Sequence, residues 1–296
     1  MYPTIGQPPH RETAVKTSVQ SHDLTLPGVG VRVRVLEAGA GPVVLMLHGN
    51  PDNADEWRPL MAQLAATHRC VAPDFPGYGL SPEPPRSFDY GLVSQIRFVD
   101  EVLGAMRIDS PLIVVVHDTG GMVGTAWAAR NIARVRGIVV TNTVAFEGFR
   151  WFRIARTWGE RSWLGRQRAA LSMWALGLRA GAVFKRIFGA QSPQLGAADL
   201  ERFATSFALN RTAKRTTLRQ FRRFIDPAFF VGFDAMWRAL GERVPSRVLW
   251  GDDDPYLPVA CAQRFGRSTV TVLPGVGHWV PLVAPDRLAA EVHALP

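Results

Sequence analysis

Val114-Val115-Val116 runs into His117-Asp118-Thr119-Gly120-Gly121, an apolar stretch that breaks at a small-residue turn with a carboxylate at its apex. A segment rich in small residues, with helical character, follows from Met122 to Ala129. Strand, sharp turn and helix push one side chain out at the end of a parallel sheet, and that side chain is usually a Ser or Cys nucleophile. Here it is Asp118. An aspartate carboxylate, with a reference pKa of ~3.9, is ionised at neutral pH and needs no base to become a nucleophile. The expected chemistry therefore moves from acyl transfer to attack on an electrophilic saturated carbon, with an alkyl ester as intermediate.

Such an ester must be cleaved, and the chain supplies the groups for it in order. Gly251-Asp252-Asp253-Asp254-Pro255 follows a predicted strand ending at Trp250, and Pro274-Gly275-Val276-Gly277-His278-Trp279 follows the last predicted strand. Nucleophile, acid and histidine thus each fall at the carboxyl end of a strand, where open parallel sheets form ligand sites. Asp254 is preferred to Asp252 and Asp253 because the Pro255-Tyr256-Leu257-Pro258 turn should fix its direction. Asn142, at the end of another strand, is an amide and cannot be the acid. His278, oriented by Asp254, would deprotonate a water that attacks the ester carbonyl. The resulting oxyanion needs two donors, for which the backbone N–H groups of Thr119 and Asn50 are placed. His117, His48 and Asp74 read as structural: packing for the first, loop-shaping for the other two.

These groups need a scaffold, and the alternation of short apolar strands with amphipathic helices predicts an α/β fold with a mostly parallel sheet. Strands are expected at Val31–Glu37, Pro42–Leu47, Cys70–Pro73, Leu112–Val116, Gly137–Thr141, Ser246–Trp250 and Thr269–Leu273, with helices at Ala54–Thr67, Tyr90–Met106, Val259–Phe265 and Pro285–Leu295. Between about Ala145 and Val231 the alternation stops and only helical patterns remain: Arg161–Leu178, Ala180–Phe188, Ala198–Asn210 and Arg215–Ile225. The expected organisation is a loose arm at 1–22, a core from 23–144 and 232–296, and an all-helical lid at 145–231.

The 296 residues are 47% apolar, enough for a large core. Cys70 and Cys261 read as buried thiols rather than a disulfide framework. The net charge of +9 is almost all arginine, much of it between Arg150 and Arg223. No zinc-finger spacing, stacking motif or basic tail accompanies it, so a nucleic-acid partner is not expected. No apolar run approaches the ~20 residues of a membrane span and no signal-peptide pattern opens the chain, so the expectation is a cytoplasmic protein without a membrane partner. The chemistry calls for no metal or organic cofactor.

His48-Gly49-Asn50-Pro51, Asp74 to Ser81, His117 to Gly121, Gly251 to Pro255 and Gly277-His278 together resemble the haloalkane dehalogenase and epoxide hydrolase branch of the α/β-hydrolase superfamily, over roughly Val31 to Leu295. The resemblance implies the α/β-hydrolase fold, with Asp118 as nucleophile, Asp254 as acid and His278 as base. In haloalkane dehalogenases the Asn of the His-Gly-Asn-Pro motif gives its side-chain amide to the halide, which makes Asn50 a halide donor by resemblance. Their second donor is usually a Trp, often directly after the nucleophile, where this chain has Thr119. Trp151, Trp158, Trp163 and Trp174 of the lid, with Trp279 beside His278, are therefore candidate pocket residues. Epoxide hydrolases use lid tyrosines, whereas Tyr2, Tyr78, Tyr90 and Tyr256 all lie outside the lid span. Haloacetate dehalogenases hold the substrate carboxylate with Arg just after the nucleophile and three residues on, where Thr119 and Met122 stand. The expectation is hydrolytic dehalogenation of an apolar haloalkane by water, giving alcohol and halide. The alternatives are epoxide hydrolysis, hydrolysis of another small molecule, and ligand binding without turnover. The oligomeric state is left open.

Overall fold

The computed structural model describes residues 18–296. Eight strands form one sheet: β1 (Gln20–Leu26), β2 (Val31–Ala38), β3 (Val43–Leu47), β4 (Arg69–Pro73), β5 (Leu112–His117), β6 (Val135–Thr141), β7 (Ser246–Gly251) and β8 (Thr269–Leu273). Their spatial order is β1-β2-β4-β3-β5-β6-β7-β8. The pairs β1/β2 and β2/β4 are antiparallel, and every pair from β4 onward is parallel. The central strands β3 and β5 are buried at every residue, which is why they read as unbroken apolar runs, VVLML and LIVVVH. The edge strand β1 is half exposed and reads QSHDLTL. It begins at Gln20, so the expected arm of residues 1–22 overlaps the sheet; residues 1–17 lie outside the described part.

Helices α1 (Arg58–Leu64), α2 (Leu92–Ala105) and α3 (Thr119–Arg130) connect the first strands. Leu60, Met61 and Leu64 of α1 share one core with Leu288 and Val292 on the opposite side of the sheet from α2 and α3. Between β6 and β7 every element is helical: α4 (Arg153–Gly159), α5 (Trp163–Leu176), α6 (Ala182–Gln191), α7 (Ala197–Phe203), α8 (Arg211–Phe224) and α9 (Phe233–Arg243). A π-helical stretch, Ala204–Ala208, follows directly on α7. Short α10 (Val280–Val283) and α11 (Pro285–His293) close the chain. The expected Ala54–Thr67 helix is a 3-10 turn (Ala54–Trp57) running into α1. Helix α8 starts at Arg211, four residues before the expected Arg215, because the Asn210 side chain accepts hydrogen bonds from Thr212 and Ala213 and caps it. Helices α4 and α9 were not among the expected elements, and α9 packs on α3.

Arginines of α8 have a use the net charge does not reveal. Spaced four apart, Arg215, Arg219 and Arg223 fall on one side of the helix. Arg215 pairs with Glu83, Arg219 donates to the carbonyls of Pro84, Pro85 and Phe88, and Arg223 pairs with Asp89. The helix is thereby lashed to the loop between β4 and α2. Both Cys70 and Cys261 are free and buried.

Candidate active site

Asp118 stands between β5 and α3 with φ 45° and ψ −123°, a left-handed conformation that side chains rarely adopt. Two contacts from the segment after β6 hold it there. The Asp118 N–H donates to Asn142 O at 3.1 Å, and the Thr143 hydroxyl donates to Asp118 O. The residue lines the cavity beyond the carboxyl end of β5. Its Oδ1 accepts from the Asn50 N–H at 2.7 Å, and its Oδ2 lies 3.7 Å from His278 Nε2.

His278 is 3% exposed, and its Nδ1 lies 2.7 Å from Asp254 Oδ2. The turn after β7 holds Asp254 as the sequence suggests: Oδ1 accepts from the N–H groups of Tyr256 and Leu257 at 2.7 and 3.0 Å. Asn142 adds its amide to Oδ2 at 2.7 Å, while its own oxygen accepts from Gly251 N. Burial alone would raise Asp254, but His278, the two N–H groups and Asn142 outweigh it and hold the carboxyl below its usual range. Asp252 and Asp253 are exposed; Asp252 accepts from Gly275 N.

Beneath these groups lies a buried ion pair. His117 Nδ1 is 2.7 Å from Glu56 Oε1, both side chains fully buried. His117 Nε2 reaches the His278 carbonyl at 2.9 Å, and Glu56 Oε2 accepts from Gly49 N at 3.3 Å. The pair thus ties the loop carrying Asn50 to the loop carrying His278. Burial disfavours charge on His117, but Glu56 and, further off, Asp118 overcome it and raise the imidazole to about 9. His48 serves as a neutral bridge: its Nε2 accepts from Phe75 N, which leaves Nδ1–H for Gly49 O, and burial lowers its pKa. Asp74 accepts from Ala54 N and Leu80 N and pairs with buried Arg34.

The expected pocket residues separate. A cavity of about 320 Å³ opens between the carboxyl ends of the strands and the helical insertion. Asn50, Asp118, His278 and Trp279 line its base, and Phe152, Trp158, Phe184, Phe188, Phe207 and Phe221 much of its wall. Of the candidate tryptophans, Trp158 and Trp279 therefore line the cavity. Trp151 does not, and its indole donates to Phe224 O at 3.0 Å. Trp163 and Trp174 are 72% and 62% exposed on the outer side of α5, so neither is a pocket residue. Thr119 is buried away from the cavity lining.

Asn50 also differs from expectation. Its side-chain Nδ2 donates to Tyr78 Oη and Thr217 Oγ1, each at 2.8 Å, so both amide hydrogens are engaged. Tyr78 Oη in turn donates to Gln220 at 2.6 Å. Trp158 Nε1 donates to Ser172 Oγ at 3.1 Å, whereas the buried Trp279 Nε1 has no partner among the described residues. Tyr256, outside the insertion in sequence, lines the cavity nonetheless: its ring meets His278 edge-on at 5.2 Å and its hydroxyl donates to Gln191 at 2.8 Å. Glu56, Thr217, Gln220 and Tyr256 are among the site residues that pattern reading missed, as are the phenylalanines of the cavity wall. Only Tyr256 carried a signal, since it sits in the turn that singles out Asp254.

The model of the alpha/beta hydrolase fold family matches residues 42–285. The cis-3-alkyl-4-alkyloxetan-2-one decarboxylase of Xanthomonas campestris is 41% identical over 126 residues, 40% of this chain, and the chain spans only 42% of that protein's length. Haloalkane dehalogenase 2 of Mycobacterium bovis is 27% identical over 88% of this chain and 90% of its own. Among solved structures, epoxide hydrolase CorEH superposes with a TM-score of 0.73 over 94% of this chain and 98% of its own, at 18% identity. The chain belongs to the alpha/beta hydrolase fold family.

Proposed function

We propose that the protein hydrolyses small apolar alkyl electrophiles through a covalent ester on Asp118, with haloalkanes as the leading substrates and residues 145–231 as the lid. The observation that carries this reading is the single carboxylate at the elbow, with the Asn50 N–H on one oxygen and His278 Nε2 beyond hydrogen-bond distance of the other. In the first step an Asp118 oxygen bonds to the substrate carbon as the carbon–halogen bond breaks, and the halide leaves with the electron pair. In the second, His278 takes a proton from water, whose oxygen attacks the Asp118 carbonyl carbon. The N–H groups of Asn50 and Thr119 stabilise the oxyanion, and its collapse expels the alkoxide, which recovers a proton from His278. Asp254 supports the imidazolium in between. The cavity is largely hydrocarbon and aromatic, which suits an uncharged alkyl chain. A departing halide needs an N–H donor, and the Asn50 amide would supply one in exchange for its bond to Tyr78 or Thr217.

A second reading, opening of a strained oxygen ring such as an epoxide or the oxetanone of the Xanthomonas relative, is favoured by the Tyr256 hydroxyl on the cavity wall. Such rings leave an oxygen that needs a proton or a donor, which the Tyr256 hydroxyl would supply in exchange for its bond to Gln191.

The test is a His278→Gln variant treated with 1-bromobutane. Intact-mass spectrometry should show one added butyl group, mapped to Asp118, with bromide released in a single stoichiometric burst. Absence of adduct with bromoalkanes, epoxides and oxetanones alike would refute the ester mechanism. Diol from styrene oxide without bromide from any bromoalkane would replace the first reading by the second.

A further inference from the structure

The insertion is charged and apolar in a way that the site below it does not require. Of the 34 Arg and Lys, 16 lie between residues 145 and 231, against five of the 25 Asp and Glu; the rest of the chain holds 18 against 20. The whole positive excess therefore sits on the insertion. The clamp of α8 uses three of these cations, and Arg202, paired with Asp52, is another. Among the described residues, Arg153, Arg156, Arg166, Arg168, Arg179 and Arg186 have no carboxylate partner.

Exposed large apolar side chains gather on the same part of the molecule. On α5, Trp163, Leu164, Leu171 and Trp174 are 72, 59, 62 and 62% exposed. Their helical spacing, with Gln167 and Ala170, makes one outward stripe, and Arg166 and Arg168 fall on its two flanks. The inward side of α5 is the conventional one: Ala169 and Met173 are buried, and Ser172 and Leu176 line the cavity. Helix α5 packs between α4 and α6. From these neighbours, Ile154 and Ile187 both line the cavity and stand 38% and 48% exposed, so they mark its mouth beside the stripe.

Interfacial tryptophans and leucines flanked by arginine are the composition by which a helix lies in the headgroup layer of an anionic bilayer. We infer that the outer face of α5 docks on an anionic phospholipid surface, with the cavity mouth bordering the docked face. An uncharged alkyl substrate dissolved in the bilayer would then enter without crossing bulk water. The charge pattern favours this occupant over a second copy of the chain, because two such faces would repel each other. No helix of the described residues is long and apolar enough to cross a membrane. The inference stands whichever leaving group the site takes.

Co-sedimentation with extruded vesicles tests it. Wild type should bind vesicles of equal parts phosphatidylglycerol and phosphatidylcholine, and bind pure phosphatidylcholine at least about tenfold more weakly at ~0.15 M salt. Trp163→Ser/Trp174→Ser should weaken the partition by about tenfold or more, and Arg166→Glu/Arg168→Glu by a similar factor with loss of the salt dependence. Both variants should keep wild-type Tm and turnover of a water-soluble substrate. Failure of wild type to sediment with anionic vesicles, or equal binding by wild type and both variants, would overturn the proposal. So would a dimer in sedimentation velocity, or a complex with a random oligonucleotide, abolished by the variants while vesicle binding is absent.

Discussion

His278 faces carboxylates on both sides, and the two contacts differ in kind. The one to Asp254 is a 2.7 Å hydrogen bond inside a set of four donors, and the one to Asp118 is a 3.7 Å approach with no hydrogen bond. The first fixes the ring and the second leaves Nε2 able to accept a proton, which is the division of labour that ester hydrolysis requires. Asn142 contributes to the first without touching the cavity. Its amide to the charged Asp254 is worth about 1.5–3 kcal/mol as a hydrogen bond to an ionised group. Asn142→Ala should therefore lower kcat by about tenfold or more with little change in KM, and raise the acid limb of the pH profile as Asp254 loses a donor. A fall in KM with kcat unchanged would show that Asn142 does not act through the acid.

Among the elements, the strand–turn–helix at Asp118 depends on close approach of backbones. A Cβ at Gly120 would stand 2.1 Å from the Leu47 carbonyl oxygen, a contact that only movement of β3 or α3 could relieve. Gly104, near the end of α2, is the natural control, since a Cβ there would meet nothing within 4 Å. Gly120→Ala should yield insoluble or inactive protein, and Gly104→Ala should raise stability by about 0.5–1 kcal/mol, read as a higher Tm. Equal Tm for the two would contradict the packing described. The elements also mark what pattern reading could reach. The interior strands were legible because burial on both faces demands apolar runs, and the motifs at their ends were legible because chain order and strand ends locate them. Strand β1 was not, since its edge position lets polar residues alternate through Ser21 and Asp23 as in an unstructured arm. Nor were the partners of Asn50. Thr217 and Gln220 come from α8, far along the chain, and their directions depend on how that helix is set down. Tyr256 was read as part of a turn, although the turn delivers its ring to the cavity.

For the molecule as a whole, the Glu56–His117 pair couples folding to pH. With the folded imidazole raised to about 9 and the unfolded reference near 6.5, the native state holds a proton that the unfolded chain releases. The contribution of the pair is complete below pH ~6.5 and is lost as pH rises through about 9. Tm should accordingly fall across this window. Glu56→Gln should cost about 3–5 kcal/mol at neutral pH by leaving a buried imidazolium unpaired or neutralised, and should flatten that fall. Parallel Tm curves for the two proteins would assign the pH dependence to other groups.

The network joining Asn50, Tyr78, Thr217 and Gln220 bears on traffic. Thr217 and Gln220 ride on α8, while their partners belong to the loops after β3 and β4. Lifting that helix would strip an amide and a phenol of their bonds together and undo the arginine clamp as well. Passage between Ile154 and Ile187 disturbs none of this. The roof is fixed where α8 meets these loops, and the doorway belongs away from them.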